Sequence, residues 1–599
     1  MSRYRIYTVI FWCFVIASLF FRLIALRTTP ATFSHDEVHY VTEARSIAVA
    51  GQDLSGTWRP WHLRPSNPLY AELPSSVMAL GGILFDDPFW QARTVSVMMG
   101  IVLPLILGGI GWSLTRKRGV FYTTAVIGLL NPWLFQFSRL SFDVLYSLFF
   151  YSLGVLGLLA LPKKWRMLSF LPLFLGFFQY QGLKLVFIPI VFVTIAFVIW
   201  RDSEFSPKKD LWKELRKQLP KTLKAQADLL GVLGLCVLLF VWYVSVLSSQ
   251  SAGSRVNDMI FFNEDYLSSR VNEYRRVAIA SPLDKIFANK FVVMIQEFLI
   301  KYVEGLSPKQ LFIQGESVRN LFAVWTRGFF NHLDMLLVGL GYLALVLKKE
   351  WRKAGLLILA FILIAPIPVA TNSIDLWIMF RGSWIVVAGL ILMGIGAWYG
   401  FEQAPKLALV GFALLYVVGL ASFGYEYFFR YPIYSTKGLA FGERVMASYI
   451  SRLPEDKEVM VLVDEALFVY QTYLAYNDLV TRENLPQIQN AVRSGAYRLG
   501  NVTFATDCLD TSKIGPNTVV INNSVNVTCS GEPAKIGEFP YAKIVSPIDN
   551  GALFTVLNDP VCSKYVLQPY IHITERDWLD VERLSEQQFC DKLLSKPVE

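Results

Sequence analysis

The stretch Phe33–Tyr40 reads Phe-Ser-His-Asp-Glu-Val-His-Tyr, so two adjacent carboxylates, Asp36 and Glu37, stand between His35 and His39. A positioned carboxylate is a group that takes a proton from a hydroxyl. The pair follows the first apolar segment by a few residues, which places it at a bilayer surface, where a carboxylate is costly unless solvated or employed. A solvated loop pair would read the same way, so the rest of the set matters. Arg139 and Asp143 close Ser138-Arg-Leu-Ser-Phe-Asp, Tyr180 and Lys184 lie in Gln179-Tyr-Gln-Gly-Leu-Lys, and Arg381 lies in Met379-Phe-Arg-Gly-Ser-Trp. Arg139 with Asp143 also reads as a structural ion pair, and Lys184 and Arg381 as snorkelling cations. Taken together, one base and several cations suit transfer from a phospholipid-type donor. The carboxylate deprotonates an acceptor, and cations stabilise the departing phosphate, which Arg grips with two parallel donors.

The elements that must position these residues are membrane helices. Of 599 residues, 54% are hydrophobic and only 17% charged, fewer charges than a soluble chain carries. Long apolar runs recur from Ile6 to about Phe423, which predicts a polytopic α-helical membrane protein. The net charge of +9 gathers in short Lys/Arg blocks between those runs. Such blocks are orientation signals and imply no nucleic acid. Arg22 and Arg27 close the first run without a small-residue cleavage site, so an uncleaved first helix is expected.

About eleven spans are predicted, at 6–26, 90–114, 120–137, 143–162, 167–180, 184–200, 229–248, 333–347, 354–371, 382–400 and 405–423. The blocks Arg116–Arg118, Lys163–Arg166, the eight Lys and Arg of 201–228, and Lys348–Lys353 then lie inside. Two large loops, 27–88 with Asp36 and Glu37, and 249–332, lie outside, as does everything after Phe423. Within the first loop, Tyr70–Phe85 is apolar but short and is expected to lie against the membrane.

The region 424–599 changes composition, with strand-like runs at Val459–Val463, Thr518–Asn522, Lys543–Val545 and Leu553–Leu557 and a helix-like stretch at Gly442–Leu453. A small α/β domain is expected, which makes 1–423 the membrane unit. It holds Cys508, Cys529, Cys562 and Cys590, whereas Cys13 and Cys236 lie in apolar segments. Four cysteines facing an oxidising compartment imply two disulfides. Sequence neighbours would pair as Cys508–Cys529 and Cys562–Cys590, one of three possible connectivities. Sequons start at Asn501, Asn522 and Asn526.

The order of motifs resembles the lipid-carrier-dependent glycosyltransferases of the GT-C membrane fold, in the branch of protein O-mannosyltransferases and bacterial aminoarabinose transferases. The resemblance rests on His35-Asp36-Glu37, Ala44-Arg45, Gly51-Gln-Asp53-Leu-Ser-Gly56 and Pro60, then on Ala92-Arg93, Asn131-Pro132, Ser138-Arg139 and Asp143. Leu306-Ser-Pro-Lys-Gln-Leu-Phe312 with Gly315, Pro366-Ile-Pro368 and Arg381 continue it to about residue 430.

What the resemblance implies is an inverting transferase at the extracytoplasmic face of a cytoplasmic membrane, using a polyprenyl-monophosphate sugar and a glycan, lipid or protein acceptor. Asp36 would be the base, and Glu37 would position the acceptor or Asp36. Arg139, Lys184 and Arg381 would hold the donor phosphate, with His35, His39, Asp143 and Tyr180 in support. No cofactor is required; a divalent metal, where one binds, would sit at Asp36 and Asp143. Two departures stand out: the second loop has no sugar-binding-type insert, and Asp143 stands alone where oligosaccharyltransferases carry a DxD. A flippase or transporter of lipid-linked glycans is the alternative, and it would favour ionisable residues mid-span, of which the apolar runs show almost none. An inactive, sensor-like member is opposed by the intact carboxylate pair.

Overall fold

The computed structural model describes residues 3–57, 63, 70–202, 226–249, 259–315, 324, 327–373, 378–510, 514–523, 529 and 539–596. Pro60, Asn526 and most of the basic 201–228 loop lie outside the described residues.

The membrane part is built from α1 (Arg3–Leu23), α2 (His35–Ala50), α3 (Pro88–Thr115), α4 (Arg118–Leu129), α5 (Asp143–Ala160), α6 (Lys184–Asp202) and α7 (Ala227–Ser249). It continues with α8 (Asp334–Leu347), α9 (Arg352–Ile364), α10 (Trp384–Gln403) and α11 (Lys406–Tyr425). Among the described residues, seven helices are long and apolar enough to cross a membrane, and three shorter apolar helices occupy Thr8–Leu23, Pro74–Ile83 and Asp334–Leu347. The protein is a multi-pass helical membrane protein with a C-terminal mixed-sheet domain.

Two predicted spans are broken. The stretch 120–137 divides into α4, of 12 residues, and a six-residue helix Pro132–Phe137. Twelve residues rise only about 18 Å, short of the ~30 Å hydrocarbon core. The break falls at Asn131-Pro132, where Pro132 is the first helical residue and the Asn131 side chain accepts the Leu134 N–H at 2.9 Å. The stretch 167–180 likewise divides into a 3-10 turn, Lys163–Ser169, and an eight-residue helix, Phe170–Phe177. The segment read as lying on the membrane forms a short helix at Pro74–Ala79, and Leu80, Ile83 and Leu84 after it are exposed.

After α11 come α12 (Phe441–Ile450) and α13 (Ala466–Tyr476), packed with a seven-stranded sheet. Its strands are β1 (Glu458–Leu462), β2 (Tyr497–Leu499), β3 (Val502–Ala505), β4 (Thr518–Asn522), β5 (Tyr541–Val545), β6 (Ala552–Leu557) and β7 (Leu594–Ser595). Their order is β2-β3-β1-β4-β6-β5-β7, with β1 parallel to β3 and β4 and the other pairs antiparallel. The sheet is therefore mixed. Cys508 bonds Cys529 and Cys562 bonds Cys590, the sequence-neighbour pairing. Of the sequons, Asn522 is buried in β4, and the exposed Asn501 donates its amide to the Lys457 carbonyl at 2.5 Å.

Candidate functional site

The carboxylate pair opens α2, and its two members face opposite ways. Ser34 is the N-cap; its Oγ accepts the Glu37 N–H at 3.3 Å, and its own N–H donates to Glu37 Oε2 at 2.9 Å. This reciprocal capping box satisfies two donors that a helix start leaves open. The other Glu37 oxygen accepts the Ser141 N–H at 2.7 Å, just before α5 begins. Glu37 is fully buried. Burial, partly offset by Arg93, pushes the Glu37 carboxyl above the usual range. The Asp36 side chain is 46% exposed.

The backbone leading into α2 is held by three arginines. Arg139 donates to the carbonyls of Phe21 (3.1 Å), Arg22 (2.5 Å), Ala25 (3.2 Å) and Thr29 (2.7 Å). Arg93, from α3, donates to those of Leu26, Pro30 (3.1 Å) and Thr32 (3.0 Å). Arg444, from α12, donates to those of Arg27 (3.3 Å) and Ala31 and pairs with Glu582 at 2.6 Å. All three side chains are fully buried. Carbonyls freed at the end of a membrane helix need donors, and a guanidinium offers five.

Arg139, expected to grip the donor phosphate, has its guanidinium capping α1 and facing the linker. Asp143 Oδ2 accepts the Tyr40 hydroxyl at 2.8 Å. Lys184, expected at the donor phosphate, is paired within the fold. Its Nζ sits 2.9 and 2.8 Å from the two oxygens of Glu72, buried, and 3.9 Å from the Tyr243 ring centre. A buried ammonium that has found a buried carboxylate is neutralised locally.

Arg381 differs. It is half-buried before α10, with its guanidinium 5.9 Å from the Phe380 ring centre. The Phe380 ring lies 5.7 Å from Phe142 and 6.1 Å from Tyr180. Phe380 thus brings Arg381, Tyr180 and the Phe142-Asp143 corner to one wall.

The histidines connect the site to the sheet domain. His35 is half-exposed, yet Nε2 lies 2.9 Å from Glu465 Oε2, Nδ1 lies 3.2 Å from the Tyr70 hydroxyl, and the ring stacks on Phe468 at 4.1 Å. Burial opposes its charge, but Asp36 and Glu465 outweigh burial and raise its pKa above 6.5. His39 is buried, stacked on Tyr70 at 3.8 Å, with Nδ1 3.4 Å from Gln471 Nε2. Burial pushes its pKa down to about 4, so it is neutral at pH 7. Tyr476 completes the contact: its hydroxyl accepts the Phe33 N–H at 2.8 Å and lies 2.6 Å from Thr32 Oγ1.

Sequence reasoning missed Glu465, Phe468, Gln471 and Tyr476 as site neighbours, along with Glu72 as partner of Lys184. Their aromatic-rich helix carries no motif, and the contacts span more than 400 positions. For the expected ion, no group of three or more His, Cys, Asp or Glu that could hold a metal occurs among the described residues. Of the two carboxylates expected to hold it, Asp143 accepts the Tyr40 hydroxyl.

No protein-family model matches the chain, and no curated protein sequence matches it. Solved structures similar to it include ArnT from Cupriavidus metallidurans bound to undecaprenyl phosphate, at 12% identity and TM-score 0.43, covering 86% of this chain and 93% of that one. The apo form of the same ArnT is similar at 12% identity and TM-score 0.36, covering 87% and 94%. AglB, the oligosaccharyltransferase of Archaeoglobus fulgidus in complex with an inhibitory peptide and a dolichol-phosphate, is similar at 9% identity and TM-score 0.40, covering 86% and 69%.

Proposed function

We propose that the chain is a GT-C-type glycosyltransferase that moves one sugar from a polyprenyl monophosphate to an acceptor, inverting the anomeric centre. The observation that carries this is the placement of Asp36. It is an accessible carboxylate on a helix whose first turn is fixed by buried Glu37, by three arginines and by the sheet domain. Such fixation is what a positioned base requires.

In the reaction, Asp36 takes the proton of an acceptor hydroxyl, and the acceptor oxygen bonds to the anomeric carbon from the side opposite the phosphate. The bond from that carbon to the phosphate oxygen breaks, and its electron pair leaves with polyprenyl phosphate. The leaving group is a stable anion, so no general acid is needed. Arg381, at the wall with Tyr180 and Phe380, is the cation assigned to the departing charge; Arg139 and Lys184 act on the fold. No step runs through a metal. The site faces the extracytoplasmic side, where the sheet domain with its two disulfides belongs.

The test uses purified protein in lipid with a panel of radiolabelled polyprenyl-phosphate sugars, scoring release of polyprenyl phosphate. Wild type should release it with one donor, unchanged by EDTA, and Asp36→Asn should lower the rate by about 100-fold or more with an unaltered melting temperature. Full activity in Asp36→Asn would remove the base, and a glycan-transport signal in sealed vesicles without release would favour a flippase.

A further inference from the structure

At the end of the bundle away from Asp36, α3, α4, α5 and the turn after α5 leave a crevice of about 450 Å³. Its walls include Trp112, Ser113, Gly157, Ala160, Leu168 and Ser169. This is ligand-sized space, distinct from the candidate active site. Arg93, which holds the linker, and Ser113 both stand on α3, about 30 Å apart along the helix at ~1.5 Å per residue. On α5, Asp143 meets Tyr40 at the first residue, while Ala160 is the last.

The crevice is apolar apart from Ser113 and Ser169. Ser169 is 2% exposed, and its Oγ has no hydrogen-bond partner among the described residues. It packs against Gly157, where a Cβ would stand 2.5 Å from Ser169 Oγ.

The rim is basic and aromatic. Arg116, Lys117 and Arg118 follow α3, and Lys163 and Lys164 follow α5, all exposed. Arg166 is different: it is buried and paired with Asp202 at 2.9 Å. Trp112 and Trp165 are about half exposed, and Lys164 Nζ stands 5.7 Å from the Trp165 ring centre. Exposed tryptophans beside cations mark the headgroup level of a bilayer.

We propose that this crevice binds an anionic phospholipid, with one acyl chain between α3 and α5 and the headgroup phosphate on Lys163, Lys164 and Arg116. In a bilayer the hydrocarbon available to fill an apolar crevice is an acyl chain. The basic rim selects a lipid of net negative charge over a zwitterionic one.

Delipidated protein in detergent would be offered phosphatidylglycerol or phosphatidylcholine with the same acyl chains, and retained lipid read by native mass spectrometry. Wild type should retain phosphatidylglycerol preferentially. The exposed double variant Lys163→Gln/Lys164→Gln should weaken that retention roughly tenfold and leave phosphatidylcholine unchanged. Ala160→Trp, at the exposed mouth, should lower retention of both lipids, and Asp36→Asn should lower neither. Equal retention of the two lipids by wild type, or phosphatidylglycerol retention indifferent to both crevice variants, would overturn the site. Melting temperatures verify that each variant folds.

Discussion

Helices α3 and α5 join two ends that use the same residue types in opposite ways. At the end bearing Asp36, Arg93, Arg139 and Lys184 are buried and bonded to carbonyls or to Glu72. At the other end, Arg116, Lys117, Arg118, Lys163 and Lys164 are exposed. Cations clustered at one face of a membrane protein are therefore not a count of ligand-binding charges. Where a helix ends at membrane depth, the chain's own carbonyls compete for the guanidinium and hold it. The end bearing Asp36 commits Arg93 and Arg139 to backbone carbonyls, and the opposite end leaves its cations exposed.

The largest effect expected from this contrast is at Arg139. Arg139→Ala leaves four carbonyls of α1 and its linker without their donor, which costs about 3–5 kcal/mol. Lys163→Ala at the opposite end should change stability by no more than about 0.5 kcal/mol. Heating detergent-solubilised protein and following the monodisperse peak by size exclusion would compare them. An Arg139→Ala protein that melts like wild type and loses only donor affinity would break the contrast and restore the phosphate role.

Next in size is the Glu72–Lys184 pair, buried at 2.8 Å. Lys184→Met alone strands a buried carboxylate and should cost about 3 kcal/mol, whereas Glu72→Gln with Lys184→Met should recover most of that. The double variant is the informative one. With a structural pair it melts near wild type and keeps its activity. With a donor-binding Lys184 it would melt normally and be inactive.

Much of the architecture could be read from the sequence because its signals are local. Apolar runs gave the helices, four strand-like runs gave β1, β4, β5 and β6, and cysteine spacing included the pairing found. The Asn131-Pro132 break was equally local, yet the apolar run on both sides of it concealed the interruption. His35-Asp36-Glu37 could be read as a site because its residue types carry chemistry. That Glu37 turns inward while Asp36 turns out depends on Ser34 and Ser141, one near and one remote. The carbonyl contacts of Arg139 were not legible, because an arginine that caps a helix and one that grips a phosphate look the same in sequence. Only the carbonyls within reach tell them apart. Glu465 and Phe468 were beyond reach for another reason: their roles exist only once α13 is docked against α2.

That docking gives the smallest expected effect, and its sign identifies the group responsible. His35 has a folded-state pKa raised above 6.5 by Asp36 and Glu465, against burial. A raised histidine contributes stability that is fully present below about 6.5 and is lost as pH rises through the folded value. The ring is half-exposed, so solvent screening limits the contribution to about 0.5 kcal/mol. His39 cannot produce the same trend, because it is held down to about 4 and stays neutral across this window. The difference in melting temperature between wild type and Glu465→Gln should therefore be small and positive at pH 6 and shrink toward pH 8. A difference that grows with pH would mean that Glu465 does not act through His35, and that the sheet domain is held to α2 by Tyr476 and Arg444 without help from this pair.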